Sequence, residues 1–127
     1  MTKNTKLTLE ELMRRKVQML ESKKKKRTAE LYIESLDGVI VIEEPSRELV
    51  IDAQGMDDDA DRYVVYESVK EPNLHDETLL KEFGVAEPME ITDIVFKPGE
   101  VTRIAMECMA LAGFSDGSVK KIGDIKN

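Results

Sequence analysis

The apolar positions change period several times along the chain. Leu9, Leu12, Met13, Val17 and Leu20 recur at helical spacing behind Thr8 and Glu11, the two polar residues of a capping box. This predicts a helix from about Leu9 to about Lys25. Glu10 with Arg14 and Glu11 with Arg15 are acid-before-base pairs one turn apart. Lys23 to Arg27 fall where the negative end of the helix dipole favours cations. The apolar stripe is narrow and the rest of the surface is charged, a pattern suited to loose packing or to packing on a partner. The period then drops to two. Glu30 to Leu36 and Val39 to Glu43 flank Asp37-Gly38, which predicts a hairpin over about 30–43 with a two-residue turn. With Leu36 opposite Val39, one face carries Leu31, Ile33, Ile40 and Ile42, and the other Tyr32, Glu34, Val41 and Glu43. A two-stranded hairpin is marginal alone, so the first face needs a cover from this chain or another.

Shorter helical signals follow. Pro45 ends the strand and Ser46 caps a helix through Leu49, Val50 and Ala53 that stops near Gly55. Asp57, Asp58 and Asp59 precede a helix from about Asp59 to Val69, although its Val-Val-Tyr stretch is also strand-prone. A short helix over Asp76 to Phe83 ends at Gly84, and Pro88 opens another to about Phe96. Pro98 begins the strongest pattern, with Val101, Ile104, Ala105, Cys108, Leu111 and Ala112 on one face and Gly113 as its left-handed cap, onto which Phe114 folds back. Asp116-Gly117 then turn into a polar tail whose apolar anchors are Val119, Ile122 and Ile125. The fold class is α+β, mainly helical, with one N-terminal hairpin, several short helices and a basic N-terminal helix.

Charge divides this chain of 127 residues. The net charge is −7, but residues 1–27 carry ten basic and three acidic side chains, while the remainder carries nine and 23. The expected organisation is a basic helix over 1–27 and a single acidic globular domain over 28–127. The basic patch comprises Arg14, Arg15, Lys16, Lys23, Lys24, Lys25, Lys26 and Arg27. No aromatic residue is interleaved with it, so docking on its own acidic body or on a neighbouring copy outranks nucleic-acid binding. Neither a signal-peptide run nor a stretch of about 20 apolar residues occurs, which leads to the expectation of a soluble intracellular protein.

Catalytic chemistry is hard to place. Asp57, Asp59 and Asp61 have the alternate spacing that opens a calcium loop, but Arg62 and Ser68 stand where such a loop needs Gly and a bidentate Glu. His75 is the single histidine and Cys108 the single cysteine, the latter in an apolar helical pattern where a thiol is inert. The seven glycines build neither a phosphate loop nor a dinucleotide fingerprint. Met106 and Met109 suit either an adaptable partner face or gap-filling in a core. No catalytic, cofactor or metal site is assigned. The hairpin face Leu31, Ile33, Ile40 and Ile42 is the candidate partner-binding surface, against its plainer reading as core.

Several segments carry a resemblance. Tyr66-Glu67-Ser68-Val69-Lys70-Glu71-Pro72-Asn73-Leu74, Leu79, Phe83-Gly84-Val85, Pro88, Ile91 and Phe96-Lys97-Pro98-Gly99-Glu100, ending at Gly113-Phe114, resemble the XkdN-like tail assembly chaperones of phages and prophages. The charged helix, the hairpin from Leu31 to Ile42 and Pro45-Ser46-Arg47-Glu48-Leu49 extend the resemblance over nearly the whole chain. It implies a non-catalytic protein without cofactors that binds the tape-measure protein and assists tail-tube assembly. It also implies action in the cytoplasm of the bacterial host and absence from the mature virion; the residues themselves disfavour a nucleic-acid partner and offer no membrane span, and a homo-oligomer is compatible with them. Two competing readings are a small nucleic-acid-binding regulator using the basic helix and a minor structural tail protein.

Overall fold

The computed structural model describes residues 6–114 and 117–122, so the expectations for Asp116 and Ile125 lie outside the described residues. The chain divides into two compact units, Met1–Lys26 with Asp116–Asn127, and Arg27–Ser115. They are called here the arm and the body.

The arm carries two helices, α1 (Leu9–Arg14) and α2 (Lys16–Lys24), rather than one uninterrupted helix. The Thr8 hydroxyl accepts the Glu11 N–H at 3.2 Å, as the capping pattern requires. The break comes at Arg15. Its N–H is shared between the carbonyls of Glu11 and Leu12, a tightened turn that interrupts the regular ladder, and its guanidinium folds back onto Glu11 at 3.0 Å. Arg14 also pairs with Glu11, in place of the expected Glu10. No residue of α1 or α2 is buried.

The body opens with a three-stranded antiparallel sheet in the order β1 (Thr28–Ile33), β2 (Gly38–Glu43), β3 (Val69–Glu71). The hairpin differs from expectation in its turn. Residues 34–37 form a four-residue loop, a 3-10 turn over Glu34–Leu36 followed by Asp37 in the left-handed region at φ 46°. Aspartate tolerates that conformation, and its carboxylate accepts the Tyr32 hydroxyl at 2.8 Å, which fixes the loop. Leu31 therefore stands opposite Ile40, and Ile33 opposite Gly38. This register is displaced by four residues from a two-residue turn. Because the displacement is even, the same side chains share the apolar face.

Helices complete the body. α3 (Arg47–Gln54) is capped by Ser46, whose hydroxyl accepts the Leu49 N–H at 3.1 Å. α4 (Ala60–Ser68) ends one residue before the expected limit, because Val69 enters β3 and pairs with Ile42 across an irregularity in β2. α5 (Glu77–Glu82) is capped by Asp76, and α6 (Glu90–Val95) leads to α7 (Pro98–Leu111). α7 stops where Gly113 takes φ 93° and the Phe114 N–H returns to the Met109 carbonyl. α7 packs against β1, β2 and α4, and α4 also meets α3 and α6. Ile42, Val65, Leu74, Ile91, Phe96 and Cys108 are the innermost side chains of the resulting core.

Candidate functional site

Surface that a fold leaves uncovered is where a partner can bind. Three such surfaces stand out, one in the arm and two in the body.

In the arm, Leu9 and Met13 lie one turn apart on α1, and Val17 and Leu20 one turn apart on α2, on either side of the break at Arg15. All are exposed, Val17 at 71%. Leu7, Leu12 and Met19 line a hollow of about 360 Å³ with Arg15 and Lys23 at its rim. An apolar stripe on so short a helix pair gains nothing for folding while it faces water, and isolated helices of this length are marginal. Of the basic patch, Arg14 and Arg15 share the single carboxylate of Glu11, and Lys16, Lys23 and Lys24 lie on α2. Arg27 belongs to the body, where its guanidinium donates to the Leu111 carbonyl at 3.5 Å.

The body shows a groove of about 580 Å³ between the outer edge of β1 and one stripe of α7. Leu31 and Ile33 form its strand wall, and Lys97, Glu100, Arg103 and Glu107 its helix wall. Glu100 fixes the mouth. Its carboxylate accepts the Lys97 N–H at 2.9 Å and meets Ser35 of the hairpin loop, and the Lys97 hydrogen bond, with Ser35 adding to it, holds its pKa below the usual range. The third surface is the outward side of the hairpin, where Tyr32 and Val39 are cross-strand partners and both exposed, with Leu36 beside them at the tip.

The fold uses most of the expected hairpin face for itself. Ile33, Ile40 and Ile42 are buried beneath the helices, and Leu31, half-buried, is the member that reaches the groove. Cys108 is fully buried and its thiol is pushed up to about 11, chiefly by burial, with Ser68 pulling weakly the other way. His75 stacks on Tyr66 with ring centroids 4.1 Å apart, and its Nε2 lies 3.1 Å from the Tyr66 carbonyl. Asp59 serves as an anchor for Arg62, which bridges it at 2.5 Å and Asp93 at 2.8 Å, tying α4 to α6. Met106 is exposed and Met109 half-buried.

The β1–α7 groove was not legible in the sequence, because its two walls lie more than sixty residues apart and meet through the packing of α7 on the sheet. Once its geometry is known, the alternating charges at 97, 100, 103 and 107 are the signal that marks it.

A family model described as phage XkdN-like tail assembly chaperone protein matches residues 2–126. No curated protein and no solved structure matches the chain.

Proposed function

The chain belongs to the family of phage XkdN-like tail assembly chaperone proteins, and on that premise we propose that it binds the tape-measure protein, keeps it soluble and assists the assembly of tail-tube subunits around it. The match over residues 2–126 carries this reading, since it covers arm and body together. The physical support comes from the arm. A long helical client needs its apolar seam masked until the tube encloses it, and Leu9 with Met13 and Val17 with Leu20 offer exposed apolar pairs at the spacing a helix partner uses. Lysines of α2 and the acidic body keep the complex charged and soluble. The role is non-catalytic, is carried out in the cytoplasm of the bacterial host, and leaves the protein outside the mature virion.

Co-expression with the phage's own tape-measure protein tests the proposal. A soluble complex that co-elutes with the wild-type chain, and is lost from a Met13→Asp/Val17→Asp variant with an unchanged body fold, is the expected result. Failure of two folded proteins to co-elute would overturn it. Purified virions analysed by mass spectrometry should lack the chain; its presence at a fixed copy number would favour a structural tail protein.

A further inference from the structure

The two edges of the sheet are treated differently. β3 is three residues long, pairs through an irregularity in β2 and is closed by Pro72, the usual devices that stop an edge from recruiting another strand. β1 has none of them. It runs six residues from Thr28 to Ile33 without proline, lysine or bulge, and its outer edge borders the groove along α7.

Along the other wall of that groove the charges alternate. Lys97, Glu100, Arg103 and Glu107 read plus, minus, plus, minus from the start of α7. Read in reverse, the series is minus, plus, minus, plus, so a copy laid antiparallel presents the opposite charge at every station. Lys97 then faces Glu107 of the copy, and Glu100 faces Arg103. A twofold interface requires this self-complementarity, because each contact occurs twice. Arg103 and Glu107 make no ion pair among the described residues, and a side chain at Gly99 would meet nothing within 4 Å, so the helix wall is open to close approach.

We propose that the free edge of β1 and the adjoining stripe of α7 form a self-association surface that takes a second copy of this chain. The two β1 strands meet antiparallel across a twofold axis with the two α7 helices side by side. The result is a continuous six-stranded sheet in which the open edge is paired and the alternating charges are matched. This surface is distinct from the apolar stripe of the arm, so it stands or falls separately from the client-binding reading.

The pair Lys97–Glu107 is the one to perturb, since Glu100 also caps α7 and its loss would disturb the fold. The full-length chain is followed by sedimentation velocity and light scattering over a concentration series, with circular dichroism as the control for folding. The wild type should move from 14.4 kDa to twice that mass as concentration rises, with a dissociation constant that increases with salt. Lys97→Glu places like charges together at two symmetric stations and should weaken the dimer at least about 10-fold. Lys97→Glu/Glu107→Lys reverses both members and should return the constant to within about 3-fold of wild type, a recovery that a purely structural effect of either substitution would not produce. A wild type that stays monomeric at every concentration would overturn the proposal. So would a dimer indifferent to Lys97→Glu, a double variant that fails to recover, or crosslinks from position 103 that reach the tape-measure protein and never a second copy.

Discussion

Replacing Ile42 by Ala separates the core reading of the hairpin from the partner-binding one. Ile42 is fully buried in the central strand, opposite Ala29 on one side and Val69 on the other. Losing its three outer carbons forfeits about 2.4 kcal/mol of transfer free energy at ~0.8 kcal/mol per carbon. The cavity left between sheet and helices raises the expected loss to about 3–4 kcal/mol. Against a total of ~5–15 kcal/mol for a domain, this is a large fraction, and for the body it corresponds to a fall in Tm of more than about 10 °C. Val17→Ala is the matched control. With 71% of its surface already in water, truncation should change stability by no more than about 0.5 kcal/mol. Urea titration followed by circular dichroism measures both. The reasoning is refuted if Ile42→Ala costs less than about 1 kcal/mol, or if Val17→Ala costs as much, since the first result would empty the core of its central strand and the second would bury the arm.

Further outcomes follow from single groups. Cys108 should react with a thiol reagent at pH 8 at least about 100-fold more slowly in the native protein than in urea, because its buried thiol titrates near 11; equal rates would contradict its burial. The sign of the linkage is that of an acid whose folded pKa is raised: this contribution is fully present below the unfolded value of about 8.5 and declines as pH rises from there towards 11. Thr92 is fully buried with its hydroxyl unpartnered among the described residues, so Thr92→Val should raise stability by about 1 kcal/mol in the same urea titration. Glu100 is held below the usual carboxylate range, so its stabilising bonds are present above about pH 4.3 and lost as pH falls through its lowered value. Glu100→Gln should therefore flatten the acid limb of the stability profile, and an unchanged limb would count against the cap.

Caps and breakers were the most legible part of the sequence. Ser46, Asp76 and Gly113 each announce a helix end through chemistry confined to a few residues, and each does so in the structure. The hairpin was legible in its faces but not in its register. Period-two alternation fixes which side chains share a side, whereas the turn depends on Asp37 adopting the left-handed region and on the Tyr32 hydroxyl that holds it there. β3 escaped because three residues at the end of a helix carry no period, and their strand exists through pairing with β2. The break at Arg15 escaped for a related reason, since neither glycine nor proline marks it. Of the uncovered surfaces, the arm's stripe was visible as helical spacing, while the β1–α7 groove is a product of tertiary packing.

Hydrogen–deuterium exchange of the chain, alone and in complex with the tape-measure protein, tests the central claim most directly. If the exposed stripe of the arm receives the client, amides over residues 9–24 should exchange quickly in the free protein and become protected in the complex, with the buried strands and α7 slow in both. A stable complex that leaves residues 9–24 as fast as before would contradict the account, and so would two folded proteins that form no complex at all.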